Sequence, residues 1–599
     1  MTECTQPDPA APGSSDPEKV HTFELIDEVP GASRDGAEPD GDGPDGPDPA
    51  DDGGAEPAEA PEAEPAPREP GRVAVALAGA RSAAGRTARR GGAAVRRRLP
   101  TTRRGRVLLA GGTAAVVALA VVGGVLVDAE LRHRALLAAP GGVRSLAEKP
   151  SEQWSIELDN PIASTLVGMP GVLAVVGDSK VRGVDPATGE VRWTVDTGEA
   201  TTCGPQPVLG IGGPAAAAAP ADPLVCVTAS DDGAQVVTTI DQDGAATTRE
   251  LDEDALVLPA PGGGLVHLEL SGGEHEQEPV VVDKVGSPHL PKGFVAPDLA
   301  VRVEDAATGA ERWSTVVAAA DPDVTTCLTY NSSEDDPDVP VPVLDVVGSV
   351  YGNVQHEVLR VDGCGLAAAF LLDGTRLDDP EDATDLPEED TGEGSYASLP
   401  DGGWVGPDRA AEGAVPGEAA HLPDGRTVPL GGQALVPWAT DGRDPGLLLV
   451  RVGVHTEARS TDERDAGEVL WSAPRLRATD LLARVAGTAV VVDELGPVRA
   501  VDLGTGAERW TLDPEVLGVE DLAWGVESMV FGAWTDGDTL LLPVSADPTG
   551  ESSGLRLLAI DLRDGSLRWE IEQETPYTQL IAVDGYLAQI TQQGVVGLG

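Results

Sequence analysis

One nine-residue pattern recurs four times in this chain. Residues 185–193 read DPATGEVRW, 305–313 DAATGAERW, 502–510 DLGTGAERW and 561–569 DLRDGSLRW. The shared form is D-x-x-[TD]-G-x-x-R-W, built on Asp185, Gly189 and Trp193; Asp305, Gly309 and Trp313; Asp502, Gly506 and Trp510; and Asp561, Gly565 and Trp569. A shorter copy, DAGEVLW, keeps the interval from Gly467 to Trp471. Such self-similarity constrains the fold first, because each unit needs its neighbours to bury its apolar face. Every full copy follows an apolar run, such as Leu557-Leu558-Ala559-Ile560, so a strand is expected to end at the Asp. The residues up to the glycine are turn formers, and a second strand leaves beyond it. Period-two alternation then sends Trp193 into a packed layer and leaves the Arg192 head in water.

Trp471 and Trp510 are 39 residues apart, room for about four strands of the usual 5–6 residues. Four strands per unit in a radial repeat is the signature of a β-propeller. The pattern resembles the pyrroloquinoline-quinone (PQQ)-type propeller repeat, D-x-x-T-G-x-x-x-W. That resemblance implies a ring, usually of eight four-stranded blades, with each Trp docked between neighbouring blades. It extends over residues 151–599 but fades between Trp313 and Trp471, where blades have to end near Leu377 and Val428 without the tryptophan. A diverged copy, IDQDGAATT, starts at Ile240. The expected fold is all-β, seven to nine blades with eight preferred, after one transmembrane helix and a disordered tail. Trp154 lies in a strand-like run with no hairpin partner before it, and the chain ends on three strand-like runs with no motif after them. The Trp154 strand is therefore expected to complete the last blade and remove two open edges.

Composition divides the remainder. Residues 1–70 hold 20 Asp and Glu against Lys19, Arg34 and Arg68, with Pro and Gly throughout, and are read as a disordered acidic tail. Residues 71–106 carry eleven arginines and no acid. Residues 107–127 contain no charged side chain and are long enough to cross a bilayer as a helix. The arginines before the span place the N-terminus in the cytoplasm and residues 128–150, a stalk, and 151–599, the propeller, outside. A cleavable signal peptide fits less well, given the long segment preceding the span. The arginines serve topology and the inner leaflet better than nucleic acid.

The whole chain carries −58; removing −17 for residues 1–70 and +11 for 71–106 leaves −52 on residues 107–599. So acidic an exterior repels nucleic acid and favours a basic partner. The acidic runs at 334–338 and 378–393 lack the spacing of a calcium loop. Cys203, Cys226, Cys327 and Cys364 fall in the exterior part, where oxidation is permitted, and Cys4 in the tail. Four cysteines allow three pairings, of which Cys203–Cys226 and Cys327–Cys364 would each pin a blade with long loops.

The resemblance also implies quinone-dependent dehydrogenases, whose site has adjacent cysteines, a Trp platform, and carboxylate and amide ligands for calcium. No two cysteines here are adjacent. Trp524 and Trp534 offer themselves as platforms but read better as packing. His267 and His275, with Glu274 and Glu276, lack zinc-hydrolase spacing and read as a chance grouping in an exposed loop. There is no G-x-S-x-G elbow and no phosphate-binding glycine loop. The motif aspartates recur once per unit, as turn-bracing groups do. No catalytic residue, metal or cofactor is expected. The expected role is a monomeric, membrane-anchored platform binding a protein or peptide at its loops, like the non-catalytic members that the resemblance implies, which include an outer-membrane assembly scaffold. A quinone dehydrogenase and a ligand-sensing domain are the alternatives.

Overall fold

The apolar runs between the motif copies form antiparallel strands, and these gather into sheets of consecutive strands. The computed structural model describes residues 129–599 except 178, 200, 205–219, 230–233, 252–254, 273–277, 283–286, 321, 333–339, 356, 378–395, 409–416, 444, 495, 513, 518–529, 546–553 and 574–578. The tail, the arginine segment, the apolar span at 107–127, and the acidic runs lie outside the described residues. Among those described, no helix is long and apolar enough to cross a membrane.

Blade one consists of Thr165–Met169, Val172–Val176, Lys180–Val184 and Val191–Asp196, each paired antiparallel with the next. Blade two opens at Thr201–Gly204, three at Leu256–Ala260, four at Tyr351–Gln355, five at Ala397–Ser398, six at Gln433–Leu435, seven at Ala478–Val485 and eight at Trp534–Thr535. The ninth combines Leu580–Val583, Tyr586–Thr591 and Gly594–Leu598 with the N-terminal strand Glu152–Glu157. Trp154 stands opposite Gly597, and Glu157 opposite Gly594, so the two ends of the propeller share one sheet as expected.

Nine blade sheets among the described residues replace the eight preferred from sequence. The count was hidden by irregular unit length. Blade four has only three regular strands, ending at Leu366–Leu371 and followed by a single bridge from Phe370 to Arg376. Blade three carries an insertion between its second strand, Gly264–Leu270, and its third, Leu299–Asp305. A further insertion separates Val317 from Tyr351.

Apolar clusters sit in the seams between blades. Leu166 and Leu173 of blade one pack with Ile581 and Ile590 of blade nine. Val490, Val498 and Trp510 of blade seven pack with Leu540, Leu542 and Ile560 of blade eight. In each sheet the first–second and third–fourth turns fall at one end of the blade. Second–third turns and the links between blades fall at the other, because antiparallel strands reverse direction at every turn.

The segment expected to be a stalk packs into the ring instead. A helix over residues 129–138 leads to buried Leu136, Val143 and Leu146. The Val143 N–H donates to the Thr535 carbonyl at 2.8 Å, and the Thr535 N–H donates to the Gly141 carbonyl at 2.7 Å. The Thr440 N–H donates to the Pro140 carbonyl at 3.0 Å. Thr440 ends the strand Pro437–Thr440, which lies parallel to the first strand of blade seven. Backbone from outside the blades thus covers the first-strand edges of blades seven and eight. Burying the Leu and Val side chains contributes roughly 1.5–3 kcal/mol each. Removing residues 1–147 is therefore expected to lower the thermal midpoint clearly relative to removing 1–128, read by calorimetry; equal midpoints would mean the segment is passive.

Candidate functional site

The motif is a lock between blades, and its parts divide the work. In each full copy the bulged residue is the arginine. Gly183 pairs with Trp193 and Val184 with Val191, which leaves Arg192 without a cross-strand partner, and the same slip recurs before Trp313, Trp510 and Trp569. A bulge re-aims its side chain. Arg192 turns onto Asp185, Arg312 onto Asp305, Arg509 onto Asp502 at 2.6 Å and Arg568 onto Asp561 at 2.7 Å. Arg192 also donates to the Gly171 carbonyl at 2.8 Å, in the first turn of its own blade. Arg192, Arg312 and Arg509 remain exposed, as expected, and the bulge adds the ion pair to the turn aspartate.

The aspartates brace the turn with their other oxygen. Asp185 accepts from the N–H groups of Ala187 and Thr188 at 2.9 and 3.1 Å. The Arg192 and Arg509 guanidiniums hold Asp185 and Asp502 below the usual carboxylate range, as does the Thr308 hydroxyl for Asp305. Every carboxylate of the motif is thus engaged in its own blade.

The tryptophan reaches forward to the next blade. Its indole N–H donates to the carbonyl one residue past the turn's first residue: Trp154 to Pro186 at 3.2 Å, Trp193 to Gln242 at 3.0 Å, and Trp313 to Leu372 at 2.9 Å. Trp471 reaches Leu503 at 2.7 Å and Trp510 reaches Leu562 at 3.0 Å. The turn glycine lies flat under the ring. Gly506 has φ +69°, and a methyl group there would come within 2.5 Å of the Trp471 indole. Gly189 lies likewise under Trp154, and Gly565 under Trp510.

Two blades that lack the tryptophan fill the same role with arginine, which sequence reading missed. Arg249 of blade two lies over Gly309, and its Nε donates to the Ala306 carbonyl at 3.4 Å. Arg426 of blade five donates to the Thr461 carbonyl at 2.8 Å, while Gly467 faces Val428 and Pro429 rather than a ring. Arginine serves because its planar head offers N–H donors on a long stem. In sequence it is one arginine among many, since only the fold aligns it with the groove.

The eighth groove is closed differently. Blade nine has its motif position at the break between the chain's two strands, so it has no turn of its own to offer. Trp569 donates instead to the Leu146 carbonyl at 2.9 Å. The Leu146 N–H in turn donates to Asp536 at 2.7 Å.

Cys203 and Cys226 are bonded across adjacent strands of blade two, and Cys327 is bonded to Cys364 between an insertion and blade four. His267 is not in an exposed loop. It lies buried on the second strand of blade three, its Nε2 3.1 Å from Glu304, which also binds Arg302 at 2.6 Å and Arg249. Burial pushes the Glu304 carboxyl up, but Arg249 and His267 outweigh that and hold it below its ordinary range. His275, Glu274 and Glu276 lie outside the described residues, as does Trp524. Trp534 is 1% exposed inside the core shared by blades eight and nine, so neither face of its ring is open to a ligand. No two cysteines are adjacent in the sequence, and Trp534 has no open face on which a quinone could stack. Among the described residues no three of His, Cys, Asp and Glu converge to hold a metal ion. A cleft of about 250 Å³ lies between blades five and six, lined by Asp401, Asp424, Arg426 and Asp462 among others. Two of these carboxylates are already paired, Asp401 with Arg484 and Asp424 with Arg426.

These features define a class: a β-propeller whose last blade is completed by the strand Glu152–Glu157. A family model described as outer membrane protein assembly factor BamB matches residues 454–597. Among solved structures the chain is similar to BamB from Moraxella catarrhalis at 13% identity, covering 75% of this chain and 99% of that one, with a TM-score of 0.35. It is also similar to the quinohemoprotein alcohol dehydrogenase of Comamonas testosteroni at 12% identity, covering 75% and 76%, with a TM-score of 0.32. No curated protein matches. Likeness at this level does not extend to activity or partner.

Two tests follow from the seams. Replacing the buried Trp510 by Ala removes its packing and its hydrogen bond to blade eight, and should cost about 3–5 kcal/mol in denaturant unfolding. A value near that of an exposed substitution would deny the lock its role. Glu418 is buried on blade five and accepts the Ala434 N–H of blade six at 2.6 Å. Burial pushes its carboxyl up to about 7, with the Ala434 N–H opposing. Its folded value exceeds the unfolded one, so the folded state holds the extra proton and stability falls as pH rises from about 4.5 to about 7. Glu418→Gln should remove that fall, worth about 3 kcal/mol, in unfolding measured at pH 5 and pH 8.

Proposed function

We propose that the protein is a membrane-anchored, extracytoplasmic platform that binds a protein or another envelope component through its loops, and not an oxidoreductase. One observation carries this reading: the polar side chains of the repeat are engaged in holding blades together. Asp185, Asp502 and Asp561 pair with arginines of their own blades, and the indoles point into seams. What stays available is the loop surface. The match of residues 454–597 to an assembly-factor family supports the same class of work.

The anchor is proposed from sequence, since residues 107–127 are uncharged and follow eleven arginines. Two oxidised pairs in the exterior part agree with an oxidising compartment. The net charge of −52 outside residues 1–106 favours a basic partner over nucleic acid.

Purified full-length protein given pyrroloquinoline quinone, calcium and a redox dye should oxidise no alcohol; turnover would overturn the reading. In intact cells Cys4 should react with a membrane-impermeant maleimide only after permeabilisation, and labelling without it would overturn the topology.

A further inference from the structure

We infer that the first–second-turn end of blades seven to nine, together with helix 129–138, rests on a phospholipid surface, so that the ring presents its opposite end to partners. This rests on the anchored-platform reading and fixes which face of the platform is free. The length of chain between the proposed anchor and the ring carries it. The uncharged run ends at residue 127, and the helix begins at 129. By Leu136, 6% exposed, the chain is already packed into the ring. The stretch from residue 127 to Leu136, mostly helical, spans at most about 20 Å. So short a tether holds its point of attachment beside the lipid headgroups.

That point lies at one end of the blades. Ala135, Leu136 and Leu137 lie against Gly442, Gly537 and Gly585, all at the first–second-turn end. Arg144 extends the contact: its N–H donates to the Gly585 carbonyl at 3.0 Å, and its guanidinium sits 4.1 Å over the Tyr586 ring. The turns of the three blades are short here, at 486–487, 503–507, 536–538, 562–566 and 584–585, so a flat surface can approach them. The two long insertions, after Leu270 and after Val317, fall at the other end.

Charge permits the contact. Residues 128–149 hold four basic and three acidic side chains, net +1, in a chain that carries −58. Of the four acids on the short turns, Asp536 accepts the Leu146 N–H, Asp538 pairs with Arg563 at 3.2 Å and Asp564 accepts the Ser566 N–H at 3.0 Å. The helix exposes Leu131, at 60%, beside exposed Arg132 and Arg134. An apolar side chain flanked by arginines suits the boundary between headgroups and acyl chains. The six-residue strand Tyr586–Thr591 puts the opposite end of blade nine about 20 Å farther from the lipid.

The test uses full-length protein carrying Cys4→Ser, reconstituted in phosphatidylcholine–phosphatidylglycerol vesicles that contain a nickel-chelating lipid. A nitroxide is attached to one added cysteine at a time, from Leu131→Cys, Asp538→Cys or Gln592→Cys. Gln592 is exposed in the second–third turn of blade nine. Flotation with the vesicles checks the anchor, and protein that fails to float would overturn the anchored reading and this one together. In floated protein, nickel should raise the relaxation rate at 131 and 538 and leave 592 at its value in nickel-free vesicles. Enhancement at 538 no greater than at 592 would overturn this orientation while the anchor stands. Inserting about 12 Gly and Ser residues before Ala129, a flexible spacer of roughly 20 Å, should erase the difference without reducing flotation. A difference that survives the spacer would overturn the short tether as its cause.

Discussion

A single hydrogen bond repeated around the ring decides how the blades meet. A donor on the last strand of one blade must reach the carbonyl just past the turn opening of the next. Blade sheets are twisted and wedge-shaped in packing, so their apolar faces alone leave adjacent blades free to slide. The indole supplies apolar area on its face and a donor on its edge, which fixes position as well as distance. The glycine beneath it is required because the ring lies against the backbone. Where Arg249 and Arg426 replace tryptophan, the donor survives and the apolar face is lost. The retained element is therefore the hydrogen bond.

The break in the ring shows how strict this requirement is. Joining the two termini in blade nine removes open sheet edges but splits the third–fourth turn, the source of the acceptor. Leu146 restores it from a segment outside the four strands. The same segment pairs with Thr535 and receives Thr440, so ring closure and attachment of the preceding chain are one structure. A pull on the N-terminal side would load the last seam directly.

Much of this was legible in the residues. The periodic Asp-Gly-Trp pattern announced radial hairpins, and the lone strand at Trp154 announced its partner at the other end. The pairing of neighbouring cysteines was also readable, since each bridges a unit with long loops. Blade number was not, because insertions between Val317 and Tyr351 and the shortened blade four break the spacing. Nor was the pairing of Arg192 with Asp185, since a bulge changes which way a side chain points without changing the residues around it. His267 misled for a related reason. Its sequence neighbours, Val266 and Leu268, are apolar, while its partner Glu304 lies on the adjacent strand, 37 residues on.

The residue order by itself determined that the chain is a ring of tryptophan-bearing hairpins with a distinct acidic and then basic N-terminal region, because periodicity and charge are local properties. Which donor fills each groove, which carboxyl is neutralised and which end of the ring receives the N-terminal segment were decided only when distant segments met. Those outcomes depend on distances across blades, and no run of neighbouring residues contains them.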